Sequence, residues 1–100
     1  MRIIAIKNLV QYWGKHPETR SSLEHWISIA KAAQWKSTSE VKAAFSNAVV
    51  LNADRVRFEV HGGNYRLIVA FNFQRKIAFI SFVGTHSEYD RINALTVRQF

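Results

Sequence analysis

Two groups of residues in this chain have the type and spacing to act on a polyanion. The first is Arg55-Val56-Arg57-Phe58-Glu59-Val60, which alternates charged and apolar residues without a break and is followed, after His61-Gly62-Gly63-Asn64, by Arg66. A period of two puts Arg55 and Arg57 on one face of a strand, opposite Val56, Phe58 and Val60. A hairpin turn would then bring Arg66 alongside. Guanidinium groups held that close repel one another unless an anion sits between them or solvent screens them. Arginine matches phosphate bidentately, so a phosphate backbone is the natural anion. A solvated outer face, charged to discourage sheet aggregation, is the plain alternative. The second group is Thr85-His86-Ser87-Glu88-Tyr89-Asp90, directly after the apolar run Ile77–Val83. His86 can exchange a proton near neutral pH. Tyr89, three residues on, shares its side if a helical turn begins there. Against this stands a structural reading, in which His86 is a capping residue and Glu88 and Asp90 favour a helix N-terminus.

Other chemistries find little support. The chain has no cysteine, which excludes disulfides, thiolate nucleophiles and Cys-based zinc sites. His16, His25, His61 and His86 are scattered without metal-ligand spacing, so no metal is expected. No nucleophile elbow supports a Ser–His–Asp hydrolase, and Gly62-Gly63 lacks the Lys and following helix of a phosphate loop. No apolar run reaches membrane-spanning length, and Lys7, Asn8 and Gln11 interrupt the opening stretch, so neither a span nor a signal peptide is expected. A cytoplasmic protein is the simplest expectation. Fourteen Lys and Arg against seven Asp and Glu give a formal charge of +7 and a pI near 10.3. So strong a field favours nucleic acid, anionic lipid or an acidic protein partner, without choosing among them.

The elements that must position these residues follow from periodicity. One hundred residues, 48% of them hydrophobic, suit one domain spanning 1–100. Arg2 to Ala5 can be a short strand or a helix start. Ile6, Leu9, Val10 and Trp13 then form a helical stripe that ends at Gly14, His16 and Pro17. A second helix starts near Thr19 or Ser22, with Leu23, Trp26, Ile27 and Ala30 as its apolar side. Ser37-Thr38-Ser39-Glu40 can cap a third, short helix carrying Val41, Ala44, Phe45 and Ala48. Strands are expected over Arg55–Val60, Tyr65–Phe73 and Lys76–Val83, with turns at 61–64, where Gly and Asn tolerate positive φ, and at 72–75. A last helical turn is expected over Glu88–Leu95. The fold class is α+β: N-terminal helices packed on one face of a small antiparallel β-sheet, the other face partly open for a basic site.

At this point the residues resemble a family. The stretch Asn52–Asp90 is similar to the HigB-type toxins, RelE-like toxins of type II toxin–antitoxin systems. The resemblance rests on RVRFEVHGGNYRLIV (55–69), IAFISFVGTH (77–86) and THSEYDRI (85–92), with the signature GGN-x-R followed by TH-x-EYD. The front half agrees, through Leu9 and Trp13 in a helix ending at His16-Pro17, through Trp26, and through Ala33-Gln34-Trp35-Lys36. It implies a RelE-like fold and a ribosome-dependent endoribonuclease that cuts mRNA in the ribosomal A site without a metal or other cofactor. It also implies a neutralising helix-turn-helix antitoxin of HigA type, with DNA contacted only through that antitoxin. On this view Arg66 holds the phosphate, with Arg57, Arg55 and Lys36 as further cations. His86 and Tyr89 serve proton transfer or base stacking. Asn64 is a turn residue, Glu88 and Asp90 orient His86 or hold the C-terminal turn, and Trp35 is packing rather than a stacking platform. A non-catalytic RNA- or ribosome-binding module, or a basic module docking an acidic protein, would share the charge without needing the proton-transfer residues.

Overall fold

The computed structural model describes residues 1–100. A short strand β1 (Arg2–Ile4) leads into α1 (Ile6–Lys15), a 3-10 turn (Pro17–Thr19), α2 (Arg20–Ala32) and α3 (Thr38–Ala44). Strands β2 (Val49–Val50), β3 (Arg55–Val60), β4 (Tyr65–Asn72) and β5 (Ile77–Thr85) follow, and α4 (His86–Tyr89) closes the regular structure. The five strands form one sheet in the order β1-β5-β4-β3-β2. β2 to β5 run antiparallel, whereas β1 pairs with β5 in parallel. The sheet is therefore mixed, and the ambiguous lead-in Arg2–Ile4 is its fifth strand. No helix is long and apolar enough to cross a membrane.

Helices α1 to α3 cover one face. Leu9, Leu23 and Ala30 are fully buried there against Val56, Leu67 and Val69, and the Trp26 ring meets Phe58 edge-on at 5.5 Å. Period-two alternation in β3 sets this face, as its sequence implies, and pairing places Leu67 and Val69 of β4 on the same side. The α1 stripe is rotated from expectation: Leu9 is buried, but Val10 is 43% exposed, and Tyr12 packs inward in its place. Ser37 stands at the start of α3 with extended backbone, yet its side chain makes no capping bond, so the expected cap is absent.

Between β3 and β4, the turn keeps Val60 opposite Tyr65, which fixes Glu59 opposite Arg66 and Arg57 opposite Ile68. His61, Gly62 and Gly63 carry the positive φ values of this turn, at 51°, 66° and 90°. Asn64 does not. Its carbonyl instead accepts the His86 N–H at 3.0 Å and ties the turn to α4. A register shift between Ile68 and Val69 skips Ser81 in the pairing with β5. This bulge carries Phe82 and Gly84 onto the face away from the helices, whereas unbroken alternation from the core residue Ile80 would have put both on the helix side.

That second face is not open throughout. The C-terminal segment crosses it, with Gln99 N–H donating to the Ser81 carbonyl at 2.9 Å and the Gln99 side-chain oxygen accepting from Val83 N–H at 2.8 Å. At the far edge of this crossing, Arg55 Nη1 donates to the carbonyls of Ala94 and Val97 at 3.1 and 2.9 Å. Ile68, on the sheet between these anchors, is fully buried although it points away from the helical core. The last helix is shorter and earlier than the sequence suggests, His86–Tyr89 instead of a turn over Glu88–Leu95.

Arg55 is thus a buried clamp on the tail, 8% exposed. Replacing it with Ala leaves two carbonyls without their charged donor, and hydrogen bonds to charged groups contribute about 1.5–3 kcal/mol. Urea denaturation of Arg55→Ala is expected to show a loss of about 2 kcal/mol, with faster amide exchange at Gln99. Wild-type stability and exchange in this variant would show that the clamp carries no weight.

Candidate phosphate-binding site

Beyond the crossing of the C-terminal segment, the outer face presents Arg57, Glu59, Arg66 and Tyr89 together. Arg57 comes from β3 and Arg66 from β4, and both guanidinium carbons lie over the Tyr89 ring, 5.3 and 4.8 Å from its centroid. Arg57 Nη1 also donates to the Tyr89 hydroxyl at 3.3 Å. An aromatic face attracts cations, so one ring holds both guanidinium groups near each other. Glu59 sits on the same face: Arg57 Nη2 lies 3.4 Å from Oε1, and Arg66 Nε 3.8 Å from Oε2. The three charged side chains are 14–25% exposed. The Nε atoms of Arg57 and Arg66 are buried without a hydrogen-bond partner.

Local sequence explains why Tyr89 arrives here. Thr85 ends β5 in extended conformation and caps α4, its Oγ1 accepting from Glu88 N–H at 3.1 Å while Glu88 Oε1 accepts from Thr85 N–H at 2.8 Å. This reciprocal pair is a capping box, the T-x-x-E spacing of Thr85 and Glu88. Gly84 lies directly opposite Arg66. A Cβ there would stand 2.6 Å from the Phe82 ring and 3.1 Å from Glu88 Oε1, so only glycine lets strand, ring and cap close together. Phe82 in turn meets the Tyr89 ring edge-on at 6.3 Å.

His86 is the first residue of α4, half exposed, with Nδ1 3.1 Å from Asp90 Oδ2. Glu88 is engaged in the cap and Asp90 pairs with His86, so neither reaches the arginines. Arg55 does not join the expected trio, because the tail carbonyls take its guanidinium. Lys36 also stands apart. It follows Trp35, whose ring meets Phe71 edge-on in the helix-side core and whose carbonyl accepts from Lys76 at the β4–β5 turn. Arg66 lies near the opposite end of β4, roughly 20 Å away along a strand rising about 3.3 Å per residue. Trp35 is buried in the core. Glu59 is the residue that sequence reasoning passed over. Counting outward from the hairpin turn would have placed it opposite Arg66, as the anion three close arginines require. No three His, Asp or Glu side chains converge as a metal-ligand set.

On the helical side of α4 lies a second titratable cluster. Tyr12 stacks on His16 at 4.4 Å, and the Tyr65 hydroxyl donates to Glu18 Oε2, joining β4 to the turn between α1 and α2. Burial, with the charges of Glu88, Tyr65 and Glu18, pushes the Tyr12 phenol well above its ordinary range. The bond from Tyr65 lowers the Glu18 carboxyl, and the same bond raises the Tyr65 phenol.

A chain-wide comparison gives this geometry its context. Residues 19–92 match the family model for HigB toxins, described as the RelE-like toxic component of a toxin–antitoxin system. The chain is also similar to the protein named mRNA interferase HigB of Escherichia coli O6:H1 (strain CFT073), with 27% identity over 97 residues, covering 92% of this chain and 91% of that one.

The Tyr65–Glu18 bond makes a pH prediction whose sign follows from the two shifts. A depressed carboxyl stabilises the fold above its ordinary value of 4.5 and loses that contribution as pH falls through the folded value. A raised phenol stabilises it below its ordinary value of 10.0 and loses that contribution as pH rises through the folded value. The stability difference between wild type and Tyr65→Phe should therefore be a plateau around neutrality that shrinks toward both extremes. A difference unchanged in acid would remove this bond from the account. With three quarters of its length matched, and with the THSEYDRI ending that docks Tyr89 inside the match, the chain belongs to the HigB toxin family, the RelE-like toxic components of toxin–antitoxin systems.

Proposed function

We propose that this chain, acting as one domain over residues 1–100, is a ribosome-dependent, metal-independent endoribonuclease that cleaves mRNA during translation and arrests growth. The reading rests on the family, on the name of the E. coli relative, and above all on one observation: Arg57 and Arg66 converge over the Tyr89 ring with buried Nε donors left unpartnered. Both side chains keep part of their surface, 19% and 14%, open to solvent, and a guanidinium matches the oxygens of a phosphate in geometry and charge.

The chemistry needs only the RNA's own groups and these side chains. The 2′-oxygen attacks the adjacent phosphorus, the bond from phosphorus to the 5′-oxygen breaks, and a cyclic phosphate and a free 5′-hydroxyl result. A base must take the 2′-hydroxyl proton, and an acid must supply one to the leaving 5′-oxygen. Arg57 and Arg66 meet the negative charge that grows on the phosphoryl oxygens. Asp90 accepts at His86 Nδ1, which leaves the lone pair on Nε2 and suits this imidazole to the base role. The Tyr89 hydroxyl accepts from Arg57, so its own proton is free to be donated, which suits it to the acid role.

The positive charge of the chain fits a partner rich in phosphate, and the ribosome with its mRNA is such a partner. Control comes from a helix-turn-helix antitoxin of HigA type, through which alone the complex contacts DNA. The site of action is the cytoplasm.

Two measurements test this. Losing a donor to developing charge costs about 3 kcal/mol, roughly two orders of magnitude in rate. Arg66→Ala should therefore abolish growth arrest on induction while its circular dichroism stays native. A folded variant that arrests cells as fast as wild type removes Arg66 from the reaction. For His86→Gln, cleavage of ribosome-bound mRNA, mapped by primer extension across pH, should slow by about a hundredfold or more, the contribution of a positioned general base. An unaltered rate and profile would take His86 out of the proton-transfer scheme.

A further inference from the structure

The carboxylate of Glu59 occupies the space between the two guanidinium groups, and its position is a compromise. Its separations of 3.4 Å from Arg57 and 3.8 Å from Arg66 exceed the 2.7–2.9 Å of a good charged hydrogen bond. Both Nε donors beside it remain unpartnered. The turn makes room for it: a Cβ on Gly63, at φ 90°, would stand 2.9 Å from Glu59 Oε2. A quarter of the side chain is exposed, so the carboxylate has a way out toward solvent. Two guanidinium groups and one carboxylate leave the cluster a net charge of one positive unit, which matches the single negative charge of an internal phosphodiester.

We propose that Glu59 is a built-in competitor for the phosphate seat, a specificity-determining residue that holds Arg57 and Arg66 together in the free protein and weakens their grip on RNA that is not otherwise positioned. The inference rests on the reading of Arg57 and Arg66 as phosphate ligands. Its consequence is selectivity by substrate class. Free single-stranded RNA, held by the backbone charge alone, competes poorly with an anion already tethered in place. RNA held by a larger assembly brings its phosphate at high effective concentration and displaces the carboxylate. Glu59 is then a positioning residue for the empty site and a filter for the occupied one.

The test uses the whole protein and a short, fluorescently labelled single-stranded RNA whose 2′-hydroxyls are methylated, so that it binds without being cleaved. Glu59→Gln keeps the shape and removes the charge. Removing a like charge about 4 Å from the phosphate should tighten binding about fivefold or more at low salt, since repulsion at that range is felt even in bulk-water dielectric. The slope of log affinity against log salt should steepen by about 0.7, the value for one more neutralised phosphate of a single strand. A variant that binds more weakly, or with the same affinity and slope, overturns the proposal and leaves Glu59 as an alignment strut. Arg66→Ala in the same assay separates the two readings. If it weakens binding while Glu59→Gln fails to tighten it, only the competitor role falls. If Arg66→Ala binds as wild type does, the phosphate seat itself is misplaced.

Discussion

Everything at this site depends on holding two like charges together in a half-buried place. Arg57 and Arg66 would separate in water, and desolvation makes their repulsion worse. Three features offset it: the shared face of the Tyr89 ring, the Glu59 carboxylate between the guanidinium groups, and a strand register that leaves the two Cα atoms nowhere else to go. The register is set by the turn His61–Asn64, and the ring by the Thr85–Glu88 cap. The same residues that end β3 and β5 therefore position Arg57, Arg66 and Tyr89. Asn64 links the two, its carbonyl holding the first N–H of α4. A loosened turn would shift Tyr89 and both arginines at once.

Packing gives this arrangement its stiffness. The helical layer buries one face of the sheet, and the C-terminal segment crosses the other. A sheet clamped on both sides has little freedom to twist, which is what a pair of cations from different strands requires. The bulge at Ser81 contributes directly, since it turns Phe82 toward Tyr89 and brings Gly84 opposite Arg66. Irregularities of this kind recur beside functional sites because they re-aim side chains without abandoning the ladder.

The sequence disclosed the face-by-face logic of this site more readily than its membership. Unbroken alternation in Arg55–Val60 made β3 and its two faces legible, whereas the T-x-x-E of Thr85 and Glu88 was not read as a cap and the last helical turn was expected two residues too late. Arg55 shows where such reasoning stops. It lies on the same strand and face as Arg57, two residues away, and local pattern cannot tell them apart. What separates them is a contact with residues some forty positions later, a tail whose sequence has no periodicity to read. Lys36 has the same lesson in another form, because the path of the chain after α2 decides which end of the sheet it reaches. Glu59 was legible and passed over. It looked like one more charge in an alternating strand until the register placed it against Arg66. The bulge, which depends on pairing across strands, left no mark in the order of residues in β5.

The distribution of charge explains how so cationic a protein can still be selective. The chain carries +7, yet the cluster of Arg57, Arg66 and Glu59 contributes only one unit of it. The rest is spread over exposed positions such as Lys7, Lys15, Lys31 and Lys36, where it is screened within about 10 Å at ordinary ionic strength. Such charge draws the protein toward any phosphate-rich surface and hastens encounter without choosing a bond to cut. On the proposed reading, choice is left to the short-range cluster, where the Glu59 carboxylate lies between the two cations and the Tyr89 ring fixes them. Attraction and discrimination thus rest on different residues. On the function proposed above, an assembly such as a ribosome, which supplies long-range attraction and a positioned strand together, would satisfy both conditions, whereas a free RNA would satisfy the first alone.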